Sequence, residues 1–241
     1  MCIRDRGRLE NVVKDPDALN TQEQAALLFA ASQLLKAAGP MTIDAQGVTG
    51  LPPAGGSPRW AVGKLADARF TNAGKGALWR TVSVRGTPIA APGAEANGLS
   101  VTKRLFSMNG GAIDPSQIHQ GDRVIVLVSG RSMQARSTAL VVDDALPAGF
   151  EIETTLGADD AQNGPFKFLG ELTNPDVQES RDDRYIAALD LEGNKPFAMA
   201  YVARAVTPGE FFLPGAIAKD MYRPSLNARS DAGRITVAPG Q

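Results

Sequence analysis

From Gly98 onward the sequence repeats one pattern: a short run with strand-like alternation, then a turn built on Gly, Pro, Asn or Asp. The runs are LSVTKRLFSM (99–108), DRVIVLVSGR (122–131), TALVVDDALP (138–147), FEIET (150–154), DRYIAALDL (183–191), FAMAYVARAV (197–206), EFFLP (210–214) and RITV (234–237). Between them lie Asn109-Gly110-Gly111, Gln120-Gly121-Asp122, Pro147-Ala148-Gly149, Gly193-Asn194 and Pro208-Gly209, residue types that reverse a chain at low steric cost. Seven or eight short strands over about 145 residues predict a β-sandwich. Asp182 to Pro224 closes the pattern with two alternating runs, a Thr-Pro-Gly turn, a short aromatic strand and an ordered loop that carries Met221 and Tyr222. Asp159 to Gly164, DDAQNG, is expected as a longer exposed loop.

Upstream the pattern differs. Residues 21–38, TQEQAALLFAASQLLKAA, predict a helix, with Thr21 and Gln24 spaced as a capping box and Gly39-Pro40 as its stop. Ala25, Leu27, Leu28, Phe29, Ala31, Leu34 and Leu35 leave it little polar face, so it calls for several neighbouring helices. The sequence offers few, which points to missing sequence upstream. Residues 40–58 are rich in Gly and Pro and read as turns, with short strands expected at 41–48, 59–65, 66–72 and 77–86. TPIAAPGAEANG then breaks the pattern and marks a domain boundary near 90–97.

Composition narrows the classes. The chain is 43% hydrophobic and 21% charged, enough apolar residues for packed cores. Lys plus Arg total 25 against 26 Asp plus Glu, so no basic footprint for nucleic acid or an anionic membrane exists. No apolar run reaches the length of a membrane-spanning helix, so no membrane contact is expected from this segment. Cys2 is the sole cysteine and permits neither an internal disulfide nor a multi-cysteine zinc site. The opening MCIRDRGR lacks the apolar core of a signal peptide; followed by what reads as mid-domain sequence, it suggests a gene fragment whose residues 1–8 are not native.

The usual catalytic signatures fail on inspection. Lys75 is followed by Gly76 and preceded at P-loop spacing by Arg69. Gly130-Arg131-Ser132 runs into Met133-Gln134, which is no nucleophile elbow. A calcium loop starting at Asp159 would place Ala161 and Gly170 where ligands are required. Asp143-Asp144 and Asp182-Asp183 are neighbours on strands, so each pair points to opposite faces and reads as solvated strand ends. His119 is the only histidine and is expected in an exposed turn; Trp60, Trp79 and Phe106 are expected as core anchors. No catalytic residue, no cofactor and no metal site is predicted, and the chain is not expected to be an enzyme.

Several of these segments resemble the C-terminal end of the bacterial α2-macroglobulins, thioester-containing proteinase traps. The resemblance rests on TQEQAALLFAASQLL, FTNAGKGALWRTVSVRG, LSVTKRLFSMNGGAID with QGDRVIVLV, VVDDALPAGFEIE, SRDDRYIAALDL and YVARAVTPGEFFLPGAIAKDMYRP, in that order. It implies a mainly β chain in three parts. Residues 1–39 would be the helical remnant of a thioester domain, 40–96 a CUB-like β segment, and 97–241 a terminal macroglobulin-like, immunoglobulin-like β-sandwich.

The resemblance further implies a periplasmic protein, its intact form anchored to the inner membrane by an N-terminal lipid, whose partners are its own upstream thioester domain and target proteinases. The reactive Cys-x-x-Gln is absent, since Cys2 is followed at that spacing by Asp5. The implied role of this chain is then to keep water from a thioester carried elsewhere, with Met221 and Tyr222 as the shielding residues. The alternative is a structural or adhesion-type β-sandwich module without covalent chemistry.

Overall fold

The computed structural model describes residues 19–37, 42–49, 67–74 and 91–240. They fall into two units, Met1–Gly86 and Thr87–Gln241.

In the first unit, helix α1 spans Thr21–Ala37. Its start is set one residue earlier than the sequence suggested. The Asn20 side chain accepts from the N–H groups of Gln22 and Glu23, both at 3.0 Å, and Glu23 Oε2 accepts from Asn20 N–H at 2.9 Å. The capping box is therefore Asn20 with Glu23, because an N-cap needs its acceptor just before the first helical residue. Leu28 and Phe29 are exposed. Strands β1 (Ile43–Gln46) and β2 (Arg69–Asn72) pair antiparallel, from Ile43↔Asn72 to Gln46↔Arg69. The expected strands 59–65 and 77–86, Trp60, Trp79 and Cys2 lie outside the described residues.

The second unit holds β3 (Glu95–Asn97), β4 (Leu99–Ser107), β5 (Ile118–His119), β6 (Arg123–Ser132), β7 (Thr138–Ala145) and β8 (Phe150–Leu156). Then come helix α2 (Ala158–Gln162), a single 3-10 turn (Lys167–Leu169) and β9 (Val177–Ser180). The chain closes with β10 (Arg184–Leu191), β11 (Pro196–Ala205), β12 (Gly209–Leu213), β13 (Ile217–Asp220), β14 (Asn227–Arg229) and β15 (Gly233–Ala238). One sheet has the order β3-β14-β13-β7-β10-β9, a second β4-β6-β11-β8, and a small third β12-β15-β5. The alternation in β7, where Thr138, Leu140, Val142 and Asp144 are buried and their neighbours are not, shows why one face of the large sheet becomes core. Facing it are Val124, Val126 and Val128 of β6 and Phe197, Met199, Tyr201 and Ala203 of β11, which complete the sandwich interior.

The four-stranded sheet is buried on both faces. Ile125, Leu127, Ala200 and Val202 point away from the sandwich and are covered by Ala161 of α2, Leu169 and Leu172. Burying a Leu or Ile side chain is worth about 1.5–3 kcal/mol, so this cover is a second core and not a decoration. The exposed loop expected at Asp159 to Gly164 is thus corrected: Asp159 to Gln162 lie in the short helix α2, and Ala161 is buried. Gly157 N–H donates to Asp160 Oδ2 at 2.8 Å, and Asn163 Nδ2 donates to Asp159 Oδ1 at 2.6 Å, so the acidic residues are used locally to turn the chain.

Candidate functional site

Met221 and Tyr222 sit in the turn between β13 and β14, at one end of the sandwich. Register defines that end: Leu99 opposes Ser132, Thr138 opposes Leu191, Asp220 opposes Leu140 and Asn97 opposes Asn227. The loops 133–137, 192–195 and 221–226 therefore gather there with Gly98. Gly98 has φ +70°, and a Cβ on it would lie 2.7 Å from the Leu226 side chain and 2.8 Å from that of Gln134. Only glycine gives both that backbone and that clearance.

The loop sequence reasoning expected to be ordered is ordered, and the reason is Asp220. Its side chain is almost fully buried and accepts at Oδ1 from the backbone N–H groups of Tyr222 (2.9 Å) and Arg223 (2.8 Å). At Oδ2 it accepts from Arg223 Nε at 3.0 Å and from Arg223 Nη2. The same Nη2 donates to the Ser137 carbonyl at 2.8 Å, which ties the turn to the loop after β6. Burial alone pushes the Asp220 carboxyl up, but the Arg223 guanidinium and the two backbone donors outweigh it and hold its pKa below the usual carboxylate value. Backbone bonds finish the brace: Met221 N–H to Ala139 O at 2.9 Å, Asp220 N–H to Leu226 O at 3.0 Å and Leu226 N–H to Arg223 O at 2.9 Å.

On this brace the two predicted residues point outward. Tyr222 is 80% exposed and Met221 54%, and Met133, at the same end, is 59% exposed. Neither Met221 nor Tyr222 belongs to the core of its own sandwich. The turn offers an apolar body and a phenolic hydroxyl, the kind of surface that can cover another. Asp220 and Arg223 were missed from sequence, though an Asp just ahead of a turn with an Arg three residues on is the signal that would have found them.

The remaining candidates do not converge. His119 is half exposed, its backbone N–H donating to Asp122 Oδ2 at 2.8 Å. Phe106 anchors the outer core, its ring 6.1 Å from that of Phe168 and 5.3 Å from the Arg104 guanidinium. Among the described residues no group of three or more His, Cys, Asp or Glu side chains could hold a metal. Asp143 and Asp183 meet Arg184 at 3.3 and 2.8 Å on the surface.

Asp144 corrects the expectation of a solvated strand end. It is fully buried, its Oδ1 2.7 Å from Lys103 Nζ and its Oδ2 accepting from Tyr201 OH at 2.8 Å. Lys103 Nζ also donates to the carbonyls of Pro214 (3.2 Å) and Ala145 (3.4 Å), so all three ammonium hydrogens have acceptors. Burial pushes the Asp144 carboxyl up and Lys103 opposes that push, while the Tyr201 hydroxyl is driven well above its ordinary value by burial and by the adjacent carboxylate. Tyr185 stacks on Tyr201 with ring centroids 5.0 Å apart. This group joins β4 to β7 and β11 inside the sandwich and faces no solvent.

Comparison with known proteins places this architecture. The family profile described as the bacterial alpha-2-macroglobulin MG10 domain matches residues 98–225, from the glycine ahead of β4 to the turn that carries Tyr222. An alpha-2-macroglobulin of Xylella fastidiosa is 36% identical over 178 residues, 70% of this chain and 11% of the relative. The chain thus spans about a tenth of the length of the curated relatives it matches. A Salmonella alpha-2-macroglobulin reacted with methylamine superposes with a TM-score of 0.65 at 26% identity, covering 84% of this chain and 13% of that one. Native Escherichia coli alpha-2-macroglobulin, from domain MG7 to the C-terminus, gives a TM-score of 0.54 at 27% identity over 64% of this chain and 25% of that one. With more than half of its length matched by that profile, and with the same sandwich in those relatives, the chain belongs to the bacterial alpha-2-macroglobulin family.

Proposed function

We propose that this chain serves as the shielding end of a longer alpha-2-macroglobulin-type proteinase inhibitor, covering a reactive thioester held by upstream domains of the same protein. The single observation that carries this reading is the braced turn: two large apolar side chains, Met221 and Tyr222, held out into solvent by a buried Asp220–Arg223 pair. An exposed aromatic on an ordered turn is suited to covering something outside its own domain. A thioester needs such cover, because water that reaches it destroys it before any proteinase arrives. The chain itself carries no Cys-x-x-Gln, so on this reading its contribution is steric.

The test uses the full-length gene product. Met221→Ala combined with Tyr222→Ala is expected to speed the appearance of free thiol in buffer without any proteinase. A double variant that keeps its thioester as long as the wild type would count against shielding and favour a structural module.

A further inference from the structure

We infer that Asp220 and Arg223 are the positioning residues of the Met221–Tyr222 cover, setting where those side chains stand before they meet any partner surface. This rests on the shielding reading above. Three observations lead to it.

The two side chains are 54% and 80% exposed, so packing onto their own domain does not fix them. The backbone beneath them is fixed at consecutive residues: Met221 N–H by Ala139 O, and the N–H groups of Tyr222 and Arg223 by Asp220 Oδ1. The carboxylate that does this is nearly inaccessible to water and has its other oxygen filled by the guanidinium, which reaches across to Ser137 O. Charge-assisted bonds of this kind are about twice as strong as neutral ones, and both oxygens of Asp220 are committed.

Such a brace changes how the cover works. A loop that had to order itself on docking would lose rotational and backbone freedom at that moment, and the cover would open often. A turn ordered in advance meets its partner surface with that loss already incurred. Tyr222, which has few rotatable bonds, suits the same end. Asp220 acts through the two residues that follow it.

The test compares the full-length protein with Asp220→Ala, Asp220→Asn, Arg223→Lys and the Met221→Ala/Tyr222→Ala double variant. Two quantities are read: hydrogen exchange of the peptide covering residues 220–226, and release of free thiol in buffer. Asp220→Ala is expected to raise exchange at Tyr222 and Arg223 by roughly tenfold or more, because both amides lose a charged acceptor. It is also expected to speed thiol release. Asp220→Asn keeps an acceptor for the backbone but loses the ion pair, and Arg223→Lys keeps a charge but loses the fork, so both should fall between wild type and Asp220→Ala. If Asp220→Ala fails to fold, those two variants carry the comparison.

A graded rise in thiol release beyond that of a core variant with a similarly lowered urea midpoint, such as Leu172→Ala, supports positioning, and release that simply follows the midpoint overturns it. If the double variant speeds thiol release and the Asp220 and Arg223 variants do not, the positioning role is overturned while shielding stands. If no variant speeds it, shielding fails and positioning fails with it.

Discussion

Lys103 lies inside the sandwich with its ammonium group shared among Asp144 and two backbone carbonyls. Removing one partner of such a pair costs more than the pair itself contributes, because the other charge stays buried without compensation. Lys103→Met is therefore expected to destabilise the protein by about 3–5 kcal/mol in urea unfolding, and replacing Lys103 and Asp144 together by Met and Leu by distinctly less. The pair was legible in principle. Lys103 shares strand parity with the buried Leu99 and Val101, and Asp144 shares it with the buried Leu140 and Val142. Treating charge as a sign of exposure overrode the alternation.

Asp220 makes stability depend on pH in the direction usual for a paired carboxylate. Its folded pKa lies below its unfolded value, so its stabilising effect is present above the unfolded pKa and is lost as pH falls through the folded one. The urea midpoint of the wild type should exceed that of Asp220→Asn at pH 7, and the gap should close as the pH falls below about 4. A gap that stays constant down to pH 2 would show that the carboxylate is not the group responsible.

Among the elements, β6 and β11 matter most because they are covered on both sides. The run Val124 to Val128 is buried at every position, which is why it reads as an unbroken apolar stretch in sequence and not as an alternating one. That stretch demanded a second cover, yet the segment that supplies it carries no long apolar run: of α2 only Ala161 is buried, Leu169 ends a single 3-10 turn, and Leu172 follows in an irregular chain. Leu172→Ala is expected to cost about 2–5 kcal/mol, measured by chemical denaturation, as a large-to-small change in a closed core.

The long strands were visible as alternating or unbroken apolar runs, but β3, β5, β9, β13 and β14 were not. They are two to four residues long, and the buried apolar residue of β13 and of β14 is only an alanine, Ala218 and Ala228. A strand that short and that weakly apolar carries no periodic signal. It exists because a neighbour offers it hydrogen bonds.

For the whole molecule, the absence of Cys-x-x-Gln from the sequence leads to a direct prediction. Incubated with trypsin, this chain should form no adduct that survives denaturing electrophoresis, whereas the full-length protein on the proposed reading should. An adduct formed by the chain alone would require chemistry other than a Cys-Gln thioester.

The strand β3 has a mechanical consequence. Glu95–Asn97 pairs with Arg229–Asn227, and around that ladder Arg229 Nε binds Gly93 O at 3.1 Å and Asp231 Oδ1 receives Ala94 N–H at 3.0 Å. A pull along the axis of β3 loads these bonds in shear, and the strand that bears the load, β14, begins where the Tyr222 turn ends. Tension along β3 is thus passed to β14, the strand that roots one side of the Tyr222 turn.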